Sequence, residues 1–215
     1  MRSSLVACVL VLVAGCAAAQ SHHGHQHSFR DAEKWSHIFD DPKRDAWQKP
    51  HEVIGALALE PDARVADLGA GTGYFSARLA RMLPRAKVYA VDIEPDMVRF
   101  LESRAQREGL PNVIALKGEA ADPRLPEKVD LVLLVNVYHH IEAREDYFRR
   151  LRAALRPGGR VAIVDFKLES PVGPPRAGRI AQEVVTAEMK AAGYAEPTAH
   201  GFLPYQYFLV FSPAS

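Results

Sequence analysis

The chain has 215 residues, 48% of them apolar and 25% charged, with a formal net charge of +1. That length suits one domain plus extensions, and the composition is that of a globular protein able to bury a core. The balanced charge gives no basis for nucleic acid or an acidic surface as partner. The two cysteines are Cys8 and Cys16, so the chain beyond them holds no internal disulfide, thiolate metal site or cysteine nucleophile.

Arg2 is followed by an apolar run, Leu5 to Val13, too short for the roughly 20 residues of a membrane span. Residues 1–19 therefore read as a signal peptide. Val13-Ala14-Gly15-Cys16 resembles a bacterial lipobox, which makes Cys16 a lipidation site and the protein an exported periplasmic or outer-membrane lipoprotein. In that reading, membrane contact is through the N-terminal lipid alone. Ala17-Ala18-Ala19 offers an ordinary cleavage site instead, and a mis-assigned start codon would leave the protein cytoplasmic. Residues 20–28 form a linker with His22, His23, His25 and His27, a composition that serves as a tether or binds transition metals.

Residues 29–60 read as an N-terminal helical lid. Trp35, Ile38 and Phe39 have helical spacing, Asp41-Pro42 marks a turn or helix start, and Val53, Ile54 and Leu57 give a second helix over 51–59. Strands and helices then alternate across a domain spanning 61–213. Strands are expected at 64–68, 87–93, 112–116, 129–137 and 160–166. Helices are expected at 74–83, 95–109 and 145–155, with a turn at Pro157-Gly158-Gly159. The apolar continuity of 129–137 suits a parallel strand buried on both faces. A loop at 171–175, a helix at 180–192 and two short strands near 197–200 and 205–211 complete the chain. The pattern is α/β: a doubly wound, Rossmann-like sheet of about seven strands with helices on both faces.

Val65 to Gly73 reads V-A-D-L-G-A-G-T-G between a predicted strand and a predicted helix, the setting of a nucleotide-binding loop. A dinucleotide fingerprint needs a third glycine where Tyr74 stands. The G-x-G-x-G of Gly69, Gly71 and Gly73 thus disfavours a nicotinamide oxidoreductase. Asp92 ends the next strand, nineteen residues after Gly73, where a carboxylate can accept from both ribose hydroxyls. Its other reading is a cap on the helix that starts near Pro95.

These blocks, with V-D-L-V-L-L-V-N-V-Y-H-H-I and L-R-P-G-G-R-V-A-I-V-D-F, resemble the class I S-adenosylmethionine (SAM) dependent methyltransferases in order and spacing over roughly Val53 to Phe211. The resemblance implies SAM as cofactor and an antiparallel final strand pair. It implies Asp67 near the SAM ammonium, with Gly69, Ala70, Gly71 and Gly73 around the methionine part. It places Asp92 and Ile93 at the ribose. Glu119, with Asp122 as alternate, reads the adenine amine, and Gly118 to Ala121, including Ala120, lies along the adenine edge. Asn136 joins the cofactor site.

Methyl transfer from a sulfonium needs alignment above all, and a base when the acceptor holds a proton. The candidates are Tyr138, His139 and His140, after the fourth strand, with core packing as the other reading for the histidines. Asp165 reads as a cap on the turn after the fifth strand, with a catalytic role as its other reading. Asp45, Trp47 and Gln48, with Tyr205, are expected to line an acceptor pocket, with a buried ring that anchors the helix as the other reading for Trp47; of Tyr205 and Tyr207, one is expected in the core. No metal triad is present. The leading reading is a methyltransferase for a small-molecule acceptor. The other is a lipid-anchored binding protein of the same fold without turnover, capturing metal through its histidine tether.

Overall fold

The structure, a computed structural model, describes residues 30–215. The signal-peptide, Cys16 and histidine-linker readings lie outside the described residues.

Three short helices open the described chain: α1 (Ala32–Phe39), α2 (Asp45–Gln48) and α3 (Pro50–Ala56), with a 3-10 turn at Pro42–Arg44 capped by Asp41. Then come β1 (Arg64–Leu68), α4 (Tyr74–Met82), β2 (Lys87–Asp92), α5 (Pro95–Arg107), β3 (Val113–Lys117) and β4 (Val129–Val135). The chain ends with α6 (Arg144–Leu151), β5 (Leu155–Phe166), α7 (Gln182–Ala191), β6 (Thr198–His200) and β7 (Gln206–Phe211). One seven-stranded sheet runs β3-β2-β1-β4-β5-β7-β6. The pairs among β1 to β5 are parallel, whereas β7 is antiparallel to both β5 and β6.

The apolar runs bury on both faces because helices cover both. One face packs Val132, Leu134, Ile163 and Leu209 against Phe148, Val185 and Met189 of α6 and α7. The other packs Val65, Leu131, Val164 and Phe208 against Val53, Ile54, Phe75 and Leu79 of α3 and α4. Strand order reverses direction between β1 and β4, and in open α/β sheets the crevice beyond such a point holds the ligand. The glycine loop, Asp92 and Asn136 all lie at that carboxyl-terminal edge.

Two expected boundaries shift. The helix expected to reach Leu155 stops at Leu151, and a 3-10 turn over Arg152–Ala154 follows. Leu155 already pairs with Val129, and pairing then jumps to Leu131 with Arg160. Pro157-Gly158-Gly159 is therefore an irregularity within β5, not a turn ahead of it. Pro157 disfavours helical backbone at Arg156, and the chain takes up sheet pairing early. The helix expected over 51–59 ends at Ala56, with Ala58 in the left-handed region (φ 45°).

Candidate active site

The glycine loop is tied to β2. The N–H groups of Gly69 and Ala70 both donate to the Val91 carbonyl, at 2.8 and 3.0 Å. Gly71 N–H donates to Asp92 Oδ2 at 2.8 Å, and Glu94 N–H to Asp92 Oδ1 at 2.9 Å. Gly71 has φ +57°, and a Cβ there would meet the Phe39 ring at 3.3 Å, so α1 closes over the loop. The residue preceding α5 is Glu94, and Asp92 does not take that capping place. Asp92 is 7% exposed. Burial raises its pKa, against the lowering effect of the backbone donors. Each oxygen keeps acceptor capacity. Next to it, Ile93 is 51% exposed, an apolar surface beside a buried acid.

Asp67 lies beneath the loop, where Ser76 Oγ donates to its Oδ2 at 2.6 Å. Burial pushes its carboxyl up to about 7, opposed by the Ser76 hydroxyl, and the charge of Asp92 adds to the rise. Thr72 Oγ1, inside the loop, is buried without a partner among the described residues.

Beyond β4, Asn136 adopts φ 61° and donates its N–H to Val164 O. Residues Tyr138–His140 form a 3-10 turn. That turn carries His139 to Asp165, whose two carboxylate oxygens each lie 2.9 Å from Nδ1. Asp165 also accepts from Phe166 N–H at 2.8 Å and His139 N–H at 3.3 Å. An ionised carboxylate can only accept, so Nδ1 carries the proton and Nε2 is the basic nitrogen. The His140 ring lies 4.1 Å from that of His139, centroid to centroid.

On the opposite face of the β5 end, Trp47 meets Phe166 at 6.0 Å and Tyr205 at 6.3 Å between ring centroids. Gln48 is fully buried at 0% exposure, its Oε1 held by the Arg44 guanidinium, and its Nε2 has no partner among the described residues. Gln206, 1% exposed, donates from Nε2 to Asn136 Oδ1, and its Oε1 has no partner among the described residues.

A family described as a methyltransferase domain matches residues 59–196. The chain belongs to that family. The malonyl-[acyl-carrier protein] O-methyltransferase of Methylococcus capsulatus is 39% identical over 107 residues, 49% of this chain and 38% of that protein. The trans-aconitate 2-methyltransferase of Rhodopseudomonas palustris is 31% identical over 133 residues, 62% of this chain and 48% of that protein. The chain thus spans less than half the length of both relatives. A SAM-dependent methyltransferase from Aquifex aeolicus superposes with TM-score 0.77 at 26% identity, covering 84% of this chain and 97% of that one. Human N-acetylserotonin methyltransferase in complex with SAM shares the fold, with TM-score 0.68 at 18% identity over 87% of this chain and 58% of that one.

The domain is a class I SAM-dependent methyltransferase domain, and SAM is its cofactor. The residues present fit that group. Asp92 has acceptor capacity for ribose hydroxyls, Ile93 offers an apolar face, and Asp67 is a buried acid that an ammonium group would complete. Bound SAM supplies a methyl group already activated by its sulfonium.

The methyltransferase site does not gather every expected residue. Tyr138, a catalytic candidate, is fully buried and donates to Glu188 Oε2 at 2.6 Å; Arg144 holds the same carboxylate. It therefore anchors α7 instead of facing a ligand. Asp45 accepts from the Tyr74 hydroxyl and from Arg78, tying α2 to α4. Glu119 and Ala120 are exposed, and Glu119 pairs with Arg124. Its N–H also donates to the carbonyl of Asp122, which is likewise exposed. Tyr207 is the core tyrosine of its pair, while Tyr205 joins Trp47. Asp165 corrects its reading as a turn cap: it is the partner of His139. The available signal was an acid at the carboxyl end of the strand next to the one that leads into His139.

Proposed function

We propose that the protein transfers the methyl group of SAM to a small diffusible acceptor, and that His139 Nε2 takes the acceptor's proton. The His139–Asp165 pair carries this reading. It stands at the sheet edge where an open α/β fold binds ligands, and the carboxylate fixes the tautomer that makes Nε2 a base. A general base of this kind contributes about 10² to 10⁴ in rate. The other part is alignment: Asp92, Asp67 and the glycine loop hold the donor, and the edge of β4 and β5 presents the acceptor. The resemblance of Val13 to Cys16 to a lipobox supports an exported, lipid-anchored location, which palmitate labelling of wild type against Cys16→Ser would test.

The decisive experiment uses the chain from residue 20 onward. S-adenosylhomocysteine (SAH) is titrated by calorimetry, and labelled SAM is then supplied with a panel of small acceptors. Saturable SAH binding and acceptor-dependent label transfer are expected. SAH binding with no transfer to any acceptor class would favour the turnover-free binding protein.

A further inference from the structure

We infer that the acceptor is a neutral, planar aromatic compound carrying a hydroxyl group and a second polar substituent, a substrate class that rests on the methyl-transfer reading above. The argument starts from the rings. Trp47 comes from α2, Phe166 from the end of β5 and Tyr205 from the approach to β7, and they converge into one aromatic wall. Trp47 and Tyr205 remain partly exposed, while Phe166 is buried behind them. Aromatic rings favour flat apolar partners, through stacked or edge contacts.

Buried amides accompany these rings. Gln48 follows Trp47, Gln206 follows Tyr205, and Gln206 is also the cross-strand partner of Phe166. The Arg44 guanidinium can only donate, so it fixes Gln48 Oε1 as acceptor and leaves Nε2 as an unpaired donor. Gln206 Oε1 is an unpaired acceptor. Buried polar atoms left unpaired cost free energy that a bound partner recovers. One donor and one acceptor, both uncharged, match hydroxyl substituents on a ring.

The main competitor, a carboxylate acceptor, calls for a cation whose N–H groups are open to receive it. The cations around the wall are committed to neutral oxygens. Arg44 holds Phe39 O and Gln48 Oε1; Lys167 holds the carbonyls of Leu203 and Pro204. Arg179 holds five backbone carbonyls. The Asp165 carboxylate at the end of β5 repels an anion. Side chains alternate faces along a strand, so Asp165 and Phe166 flank the end of β5 from its two sides. An acceptor lying across that end meets the wall on one side and His139 on the other. Its hydroxyl proton passes to Nε2 as the oxygen takes the methyl group, and the donor leaves as the neutral thioether.

The sequence has two tryptophans. In a Trp35→Phe protein the Trp47 indole N–H is thus the single indole signal in an NMR spectrum. SAH-saturated protein is titrated with catechol, cyclohexane-1,2-diol and benzoate. Catechol is expected to shift that signal and to bind at least tenfold more tightly than either competitor. Trp47→Leu, followed by ligand-observed NMR, is expected to weaken catechol at least tenfold and leave SAH affinity unchanged. Equal or tighter binding of the diol or of benzoate overturns the inference, as does catechol affinity indifferent to Trp47→Leu. If SAH does not bind, the methyl-transfer reading fails, and the same three titrations on the SAH-free protein still decide whether the wall selects a neutral aromatic ring.

Discussion

Both carboxylate oxygens of Asp165 lie 2.9 Å from Nδ1 of His139, and this separates the two neighbouring histidines chemically. His139→Gln is expected to lower kcat by about 10² to 10⁴, with SAH affinity unchanged. Asp165→Asn keeps the shape but places an amide where a pure acceptor stood, which removes the preference for the Nδ1–H tautomer. It should approach the loss of His139→Gln. His140→Gln should keep most activity. Steady-state kinetics with SAH calorimetry checks all three, and equal losses at His139 and His140 would overturn the assignment.

Asp92 uses both oxygens on backbone N–H groups, from Gly71 and Glu94. Asparagine can satisfy one and turns its own N–H₂ against the other. Asp92→Asn is therefore expected to disturb the loop as well as ribose binding. SAH affinity should fall at least tenfold, about 1.4 kcal/mol. Calorimetry on protein shown to be folded by circular dichroism is the check.

Asp67 gives a pH dependence with a definite sign. Its carboxyl is pushed from 3.8 up to about 7, chiefly by burial. Between those values the folded state holds a proton that the unfolded state has released. The stability from this group is full below the unfolded value and declines as pH rises toward 7, by on the order of a few kcal/mol in all. The Tm of the ligand-free protein should fall between pH 5 and 8, and Asp67→Asn should flatten that slope. SAH carries an ammonium group and should lower the carboxyl pKa on binding. SAH affinity is therefore expected to rise with pH up to about 7 in wild type and to depend less on pH in Asp67→Asn.

Tyr138 is expected to matter for stability alone. Its hydroxyl reaches Glu188 in a partly buried cluster that Arg144 completes. Tyr138→Phe removes one hydrogen bond to a charged group, worth about 1.5 to 3 kcal/mol, while Arg144 still neutralises Glu188. Denaturant unfolding should show that loss, with kcat per folded molecule unchanged. A fall in kcat without a fall in stability would restore Tyr138 to the chemistry.

The sheet was legible because parallel strands buried on both faces are apolar runs, and β1, β2, β3 and β4 fall within two residues of the expected bounds. The cofactor loop was legible because glycines at fixed spacing answer to local backbone demands. What could not be read were meetings across the chain. Trp47 and Tyr205 were expected on one pocket, but Phe166 joins them only once α2 folds over the end of β5. Asp165 finds His139 only because β4 and β5 are neighbours. Tyr138 looked like its histidine neighbours in sequence, but the 3-10 turn sends its ring into the α6–α7 core. Helix ends were the weakest reading, as the arrest at Leu151 illustrates.

The loop after β5 gives the sharpest test of the aromatic wall. Arg179 donates from Nε to Pro174 O at 2.8 Å, from Nη1 to the carbonyls of Lys167, Leu168 and Ser170, and from Nη2 to Val172 O at 3.2 Å. This one side chain organises the segment that carries Gly173 onto the Phe166 ring. At Gly173, φ is +94°, and a Cβ would lie 2.7 Å from three ring atoms of Phe166. Gly173→Ala must therefore move the loop or the ring, and it also strains the backbone. Arg179→Ala leaves the same ring in place but removes the clasp, at a cost of about 2 kcal/mol or more in stability. Both variants are expected to raise the acceptor KM severalfold, Gly173→Ala the more, while SAH affinity holds because the glycine loop lies at β1 and β2. Acceptor KM unchanged in both, with Tm lowered in both, would mean that the loop supports the fold alone and that Phe166 plays no part in holding the acceptor.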